Sequence, residues 1–238
     1  MGLKKKLLKA TKGIVNNIDK FSADALLNST INAVSKAAGM KTAKDYAKDK
    51  KKKYLYVKIE SFTINSFVKA VNGKNVKVHE DAYQVYDDNA ILKYTSTCDT
   101  GFFTDKDKVV IYNSQKEMLG YVKENYLSVG VPFFEKDVKK CEVFLGKECV
   151  AKLKSYREFK IKRYDTLEGK LHITYSDDKP FEYKLKRGNK IIAVMNEVPI
   201  NFVNGYTDRY VLEYRGVESN DEILAVLLMV ALDKIKQS

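Results

Sequence analysis

Near its C-terminal end the chain carries the sequence DEILAVLLMVALDKIK, residues Asp221–Lys236. Every residue from Ile223 to Leu232 is apolar. Ser219 and Glu222 have the spacing of a capping box, in which the two side chains bond free amides at the start of a helix. The pattern therefore predicts a helix over 221–236. A helix that is apolar on all sides must be enclosed on all sides or sit in lipid.

This helix is too short to cross a bilayer. At ~1.5 Å per residue it spans roughly 24 Å, and its uncharged part falls well short of the ~20 residues that a spanning helix needs. We therefore expect it to lie in the protein interior. The residues expected to form this structural core are Ile223, Leu224, Leu227, Leu228, Val230 and Ala231.

The preceding sequence has the period of β-strands. From Tyr54 onward, Leu55, Val57 and Ile59 alternate with larger or polar residues, and similar runs continue to Tyr214. The chain has 16 Tyr and 11 Phe but only 3 Pro, a composition that suits a pleated sheet. About twelve strands joined by short turns, with no helical pattern among them, indicate an antiparallel meander.

A sheet of that width needs closing to remove its edges, and a wide barrel has an interior to fill. We therefore predict a mainly β fold: a closed antiparallel barrel of about twelve strands around the hydrophobic C-terminal helix, with an N-terminal α-helical appendage. The predicted domains are a basic helical arm over 1–53 and a barrel over 54–238, with its central helix at 221–236.

Two repeated strand–turn–strand units carry a family resemblance. They are Tyr83-x-Val-Tyr86-Asp87-x-Asn89-x-x-Leu92 and Val109-x-Ile111-Tyr112-Asn113 to Leu119-Gly120. With the terminal apolar helix, they resemble the tubby-like fold, and within it the LURP-one-related and phospholipid-scramblase branch, over about residues 54–236. The resemblance implies a closed barrel around a hydrophobic helix. It also implies a role at membrane lipids, since tubby domains bind phosphoinositides and scramblases are linked to lipids. No family site motif is present, so no binding position is carried over.

The positive charge is concentrated at the N-terminus. The chain has a net charge of +12. Residues 1–53 hold 14 Lys and 4 Asp, a net charge of about +10, which leaves about +2 for the predicted barrel. The basic character therefore belongs to the arm.

The arm contains two predicted amphipathic helices, at 3–21 and 23–38. In the first, an apolar stripe from Leu3 to Phe21 opposes a row of lysines. Such a helix can lie on an anionic membrane, where each basic residue adds ~1 kcal/mol. The stripe can equally pack on the neighbouring domain or on a second copy of the chain, and both interpretations remain open.

Residues 40–53 are highly charged and end in a lysine run. This run can be a solvated linker, or it can contact lipid headgroups or nucleic acid. Nucleic acid is not expected, because such a site is typically built from Arg and aromatic residues interleaved with lysines, and no Arg precedes Arg157. The candidate lipid-contact residues are Leu3, Lys4, Lys5, Lys6, Leu7, Leu8, Lys9, Lys12, Lys50, Lys51, Lys52 and Lys53.

No catalytic or metal-binding set is evident. The two histidines, His79 and His172, lie far apart in sequence and are expected to be structural. Nucleophile-elbow, phosphate-loop, dinucleotide and zinc-protease motifs are absent from the sequence. We therefore expect a non-enzymatic protein without a cofactor. The absence of a signal-peptide pattern predicts a cytoplasmic location, with membrane contact on the cytoplasmic face.

The cysteines allow a prediction of strand register. If Gly146-Lys147 is a two-residue turn, Phe144 faces Cys149 and Cys141 faces Lys152. Cys141 and Cys149 then lie on opposite faces of the sheet, so no disulfide is expected.

The leading functional hypothesis is a membrane-peripheral protein that binds anionic phospholipid or acts as a scaffold. A rival is a protein–protein or self-association module that uses residues 3–38. A third hypothesis places a small ligand in an open end of the barrel.

Overall fold

The computed structural model describes only part of the chain in detail. The described residues are 28, 29, 31, 35, 39–60, 82–99, 108–127, 138–158, 161–166, 171–176, 179–199, 202–203, 206–216 and 220–236.

Within these residues the chain forms a short helix, thirteen strands and a long C-terminal helix. The elements are α1 (Ala43–Ala47), β1 (Lys53–Glu60), β2 (Tyr83–Tyr86), β3 (Leu92–Asp99), β4 (Lys108–Asn113), β5 (Met118–Leu127), β6 (Val138–Leu145), β7 (Glu148–Glu158), β8 (Ile161–Thr166), β9 (Leu171–Ser176), β10 (Lys179–Arg187), β11 (Lys190–Glu197), β12 (Phe202–Val203), β13 (Tyr206–Tyr214) and α2 (Asp221–Lys236).

The strands form one antiparallel sheet. Each strand from β1 to β10 pairs with the next, and β13 pairs with β11 and with the short β12. In addition, β1 pairs with β13 along its whole length, from Lys53 opposite Tyr214 to Glu60 opposite Tyr206. The first strand therefore has a hydrogen-bonded neighbour on each side, β2 and β13.

Alternation along the strands builds the core. In β1, Leu55, Val57 and Ile59 are buried in the main hydrophobic cluster, together with the apolar residues of α2. Tyr54 and Tyr56 point to the opposite face of the sheet, as the period of two requires. One face of the sheet thus covers α2.

The long helix is enclosed along almost all of its length. The six predicted core residues are all buried: Ile223, Leu224, Leu227, Leu228, Val230 and Ala231. Close approach of the sheet is possible where β5 has a glycine, since a Cβ on Gly120 would lie 2.9 Å from Leu227 Cδ1 and 2.3 Å from the carbonyl oxygen of Phe144. Glycine is the residue that permits such an approach.

Ion pairs hold the N-terminal end of α2. Arg187 Nη2 lies 2.7 Å from the carboxylate of Asp221. Glu222 accepts a hydrogen bond of 2.6 Å from the Tyr94 hydroxyl and another from Lys93. Glu222 is thus bound to β3, while Ser219, its predicted capping partner, lies outside the described residues.

The predictions of a mainly β fold, an antiparallel sheet and a C-terminal helix are confirmed. Closure into a barrel remains a prediction. Of the two predicted N-terminal helices, only residues 28, 29, 31 and 35 are described, so these helices also remain predictions. Within the described part of the chain, no helix is long and apolar enough to span a membrane.

The predicted register at the cysteines was half right. Phe144 pairs with Cys149, as predicted, but Cys141 pairs with Leu153 and not with Lys152. The reason is an irregularity between Val143 and Phe144, which shifts the register by one residue. A bulge of this kind leaves no clear mark in the alternation pattern.

Candidate functional site

A capped turn of helix interrupts the charged stretch before the sheet. Thr42 and Asp45 form a capping box at the start of α1: the amide of Asp45 donates to Thr42 Oγ1 at 3.3 Å, and the amide of Thr42 donates to Asp45 Oδ2 at 3.1 Å. Hydrogen bonds from the Thr42 side chain and from Lys48 hold the pKa of Asp45 below its ordinary value. The stretch interpreted as a solvated linker is therefore locally ordered.

Tyr46 attaches α1 to the sheet. Its ring packs edge-on against Tyr54, with ring centroids 5.6 Å apart. Tyr54, Val198 and Val211 form a second, smaller apolar cluster on the face of the sheet away from α2, and Ala43 and Tyr46 pack on it. Burial raises the pKa of the Tyr46 phenol to about 12. This aromatic contact fixes the position of the charged residues on either side of α1.

Residues 41–53 form what we call the lysine strap. All seven of its lysines are exposed: Lys41, Lys44, Lys48, Lys50, Lys51, Lys52 and Lys53. Lys48 pairs with Asp45, and Lys52 reaches Glu213 of β13, each at 3.0 Å. Among the described residues, Lys44, Lys50, Lys51 and Lys53 form no ion pair with a carboxylate. The strap is therefore an exposed strip of positive charge.

A cleft of about 700 Å³ lies beside the strap, between α1 and the outer face of the sheet. Its aromatic and amide side chains include Tyr46, Tyr54 and the buried Asn196. The charged lining residues are Lys41, Lys52, Lys179, Lys184, Arg215, Asp45, Asp49, Glu182, Glu197 and Glu213. Five positive and five negative side chains cancel, and several pair directly, as Arg215 Nε does with Glu213 at 2.7 Å. The cleft, which shares Lys41, Asp45, Asp49 and Lys52 with the strap, therefore has no net charge.

The predicted lipid-contact residues fall into two groups. Leu3, Lys4, Lys5, Lys6, Leu7, Leu8, Lys9 and Lys12 lie outside the described residues. Lys50 and Lys51 are in the strap, Lys52 contacts β13, and Lys53 is the first residue of β1 and not part of a linker. The structure therefore brings the second group together beside the sheet.

Sequence reasoning missed Tyr46. Two signals pointed to it: the Thr-x-x-Asp spacing of Thr42 and Asp45, and one aromatic residue within a run of charges. Sequence reasoning also missed a buried polar cluster at the far end of α2, where the hydroxyls of Tyr83 and Tyr210 donate to the wholly buried carboxylate of Asp233. Residues so distant in sequence are brought together only by the fold.

The prediction that both histidines are structural stays a prediction. His79 lies outside the described residues, and the backbone of His172 is in β9, opposite Lys186 and Asp165. Among the described residues there is no group of three or more His, Cys, Asp or Glu side chains that could hold a metal ion.

Comparisons with known proteins give little further information. No family model and no curated protein matches the chain. Among solved structures, the chain is similar to an X-ray structure of a protein from Arabidopsis thaliana. The identity is 14%, the match covers 77% of this chain and 91% of that one, and the TM-score is 0.41. A likeness at this level carries no argument about fold or function.

Proposed function

We propose that this chain is a non-enzymatic, membrane-peripheral protein that binds anionic phospholipid on the cytoplasmic face. Its basic N-terminal segment makes the contact, and a tubby-like, LURP-one-related barrel acts as the scaffold. The observation that carries the proposal is the attachment of α1: Tyr46 packs on the sheet and leaves the strap lysines exposed in a fixed place.

Closure of the sheet into a barrel is part of this proposal. The pairing of β1 with both β2 and β13 supports a closed ring of strands. The buried α2 supports the same arrangement, because an apolar helix needs a host on all sides.

The charge of the strap sets the expected strength of binding. Its seven lysines and two aspartates give a net charge of about +5. At ~1 kcal/mol per basic residue near an anionic surface, the strap supplies about 5 kcal/mol, which by itself corresponds to a dissociation constant of roughly 0.1–1 mM. Stable attachment therefore needs a second contribution, and the predicted apolar stripe from Leu3 to Phe21 is suited to supply it.

Vesicle flotation of the full-length chain tests the proposal. Vesicles of phosphatidylcholine alone are compared with vesicles that also contain phosphatidylserine. We expect binding only to the second kind, and we expect it to weaken as salt is added. A strap variant carries Lys44→Gln, Lys50→Gln and Lys51→Gln, and an arm variant carries glutamine at Lys4, Lys5, Lys6, Lys9 and Lys12. Both should bind more weakly than the wild type.

A matched control separates a local site from total charge. Lys108→Gln, Lys123→Gln and Lys152→Gln together remove the same charge as the strap variant, but from β4, β5 and β7. The control should bind like the wild type. Equal losses in the control and the strap variant, or no binding by the wild type, would show that the proposal is wrong.

A further inference from the structure

Two hairpins of the sheet have the same tip. In the β2–β3 hairpin the amide of Asp87 donates to Ile91 O and the amide of Ala90 donates to Asp87 O, each at 3.0 Å. In the β4–β5 hairpin the same two bonds link Asn113 with Glu117 and Lys116 with Asn113, also at 3.0 Å. Ala90 and Lys116 both have positive φ, +59° and +63°. This is the three-residue hairpin loop in which a left-handed residue follows a type I turn.

Equivalent positions of the two tips carry exposed apolar side chains. The residue two places after the left-handed one is Leu92 in the first hairpin and Met118 in the second, and their exposed fractions are 37% and 42%. Ile91, between Ala90 and Leu92, is 60% exposed. Of the described residues, these three are the large hydrophobic side chains that face solvent. We call these two tips, with Ile91, Leu92 and Met118, the hairpin rim.

The hairpin rim lies at the same end of the sheet as the lysine strap. Asp88, in the first tip, accepts a hydrogen bond of 3.0 Å from the amide of Tyr54, the residue that follows Lys53. The other carboxylate oxygen of Asp88 accepts a hydrogen bond of 3.3 Å from the Tyr56 hydroxyl. Because antiparallel strands alternate in direction, every second turn falls at the same end, so the β4–β5 tip is at this end too.

The apolar side chains of one hairpin tip are well separated from that of the other. Met118 pairs with Tyr112, which pairs with Thr95, so Met118 is level with a residue three places along β3 from Leu92. The two side chains are therefore two strand spacings apart across the sheet, roughly 10 Å, and about as far apart along it. A protein partner needs a continuous surface of about 800 Å². A lipid surface accepts separate apolar side chains, and the strap supplies positive charge at the same end of the sheet.

We propose that the hairpin rim is the part of the sheet that enters an anionic bilayer surface, with Ile91, Leu92 and Met118 inserted and the lysine strap beside them on the headgroups. The inference rests on the proposed function and adds an orientation: the strap end of the sheet faces the membrane.

The absence of tryptophan from the chain allows a direct test. Ile91→Trp places a single tryptophan on the rim of the full-length protein. Thr97→Trp is the matched control, since Thr97 is exposed on the same strand, further from the tip. With vesicles that contain phosphatidylserine, the emission of the first variant should shift to the blue and be quenched by brominated lipid, while that of the second should not change.

A second variant measures the contribution of the rim to binding. Ile91→Gln, Leu92→Gln and Met118→Gln together should weaken vesicle binding by about tenfold or more, given the apolar area that no longer leaves water. Vesicle sedimentation measured in the same samples separates the orientation of the rim from the proposed lipid binding itself. Wild-type binding together with an unshifted Ile91→Trp emission would overturn the rim orientation and leave the proposed function standing. No sedimentation of the wild type would overturn both.

Discussion

The hydroxyl of Tyr83 donates a hydrogen bond of 2.8 Å to Oδ2 of Asp233, although 150 positions separate the two residues. The other carboxylate oxygen of Asp233 accepts from the Tyr210 hydroxyl and lies 3.8 Å from Arg209 Nε. Burial raises the pKa of Tyr210 well above its ordinary value, with the charge of Asp233 as a further cause. One carboxylate thus joins the far end of α2 to both β2 and β13.

Removing the Tyr83 hydroxyl should therefore destabilise the whole fold. A hydrogen bond to a charged group contributes about 1.5–3 kcal/mol, so Tyr83→Phe should lower the free energy of unfolding by that amount. Urea denaturation followed by circular dichroism measures the change. Tyr86→Phe is the control, since the Tyr86 hydroxyl bonds Gln84, two residues away on the same strand. If both variants lose the same free energy of unfolding, the hydrogen bond to Asp233 stabilises the fold no more than the local bond to Gln84 does.

A charge in the middle of α2 should abolish folding. Leu228 is wholly buried, and an unpaired carboxylate there costs several kcal/mol or more, against a total stability of about 5–15 kcal/mol. Leu228→Asp should therefore give a chain without a cooperative thermal transition. Leu228→Met, which conserves volume, should lose less than about 1.5 kcal/mol. Normal folding of the Asp variant would show that the helix is not central.

Gly120 should not tolerate a side chain. A Cβ there would lie 2.3 Å from the backbone carbonyl oxygen of Phe144, which cannot move without disturbing the pairing of β5 and β6. Gly120→Ala should cost about 1–3 kcal/mol or more in thermal or urea unfolding. Adding Leu227→Ala relieves only the second contact, at 2.9 Å, so the double variant should be less stable than either single one. Restored stability in the double variant would identify Leu227 as the true obstacle.

The tyrosines at the contact between α1 and β1 should make stability fall at alkaline pH. Burial raises the pKa of Tyr46, and likewise of Tyr54 and Tyr56, from 10.0 to about 12 in the folded chain. A raised phenol pKa means that folding favours the protonated form. The stabilisation that comes from keeping these phenols protonated is complete below pH 10, and it is lost as the pH rises through about 12. Urea unfolding at a series of pH values measures the slope, which should be shallower for Tyr46→Phe. If stability falls with pH equally in the wild type and in Tyr46→Phe, the Tyr46 phenol is exposed to solvent and contributes nothing to this pH dependence.

Much of the fold was predictable because its signals are local and repeated. The predicted bounds of α2 coincide with those observed, and the predicted strand pattern ends at Tyr214, the last residue of β13. The alternation around Leu55 and Val57 also identified the buried face of β1. Features that depend on a single backbone irregularity were not predictable, such as the register shift after Val143.

For the candidate site, the sequence predicted which residues are present but not where they lie on the sheet. The sequence shows that lysines gather before the sheet, but their placement depends on Tyr46, whose partner Tyr54 belongs to an element of different period. The exposure of Leu92 and Met118 was hidden for another reason. In a strand pattern an apolar residue is interpreted as core, and only the turn geometry shows that these two lie at the tips.

The pairing of β1 with β13 also has a consequence for synthesis in the cell. At about 5–20 residues per second, roughly 7 to 30 s pass between completion of β1 and emergence of its partner 206–214. Throughout that interval one side of β1 is an open edge, the kind of template that recruits other chains into aggregates. Lysines next to such an edge discourage intermolecular pairing by charge repulsion. We therefore expect the lysine strap, at the start of β1, to protect this open edge of the nascent chain from pairing with other chains.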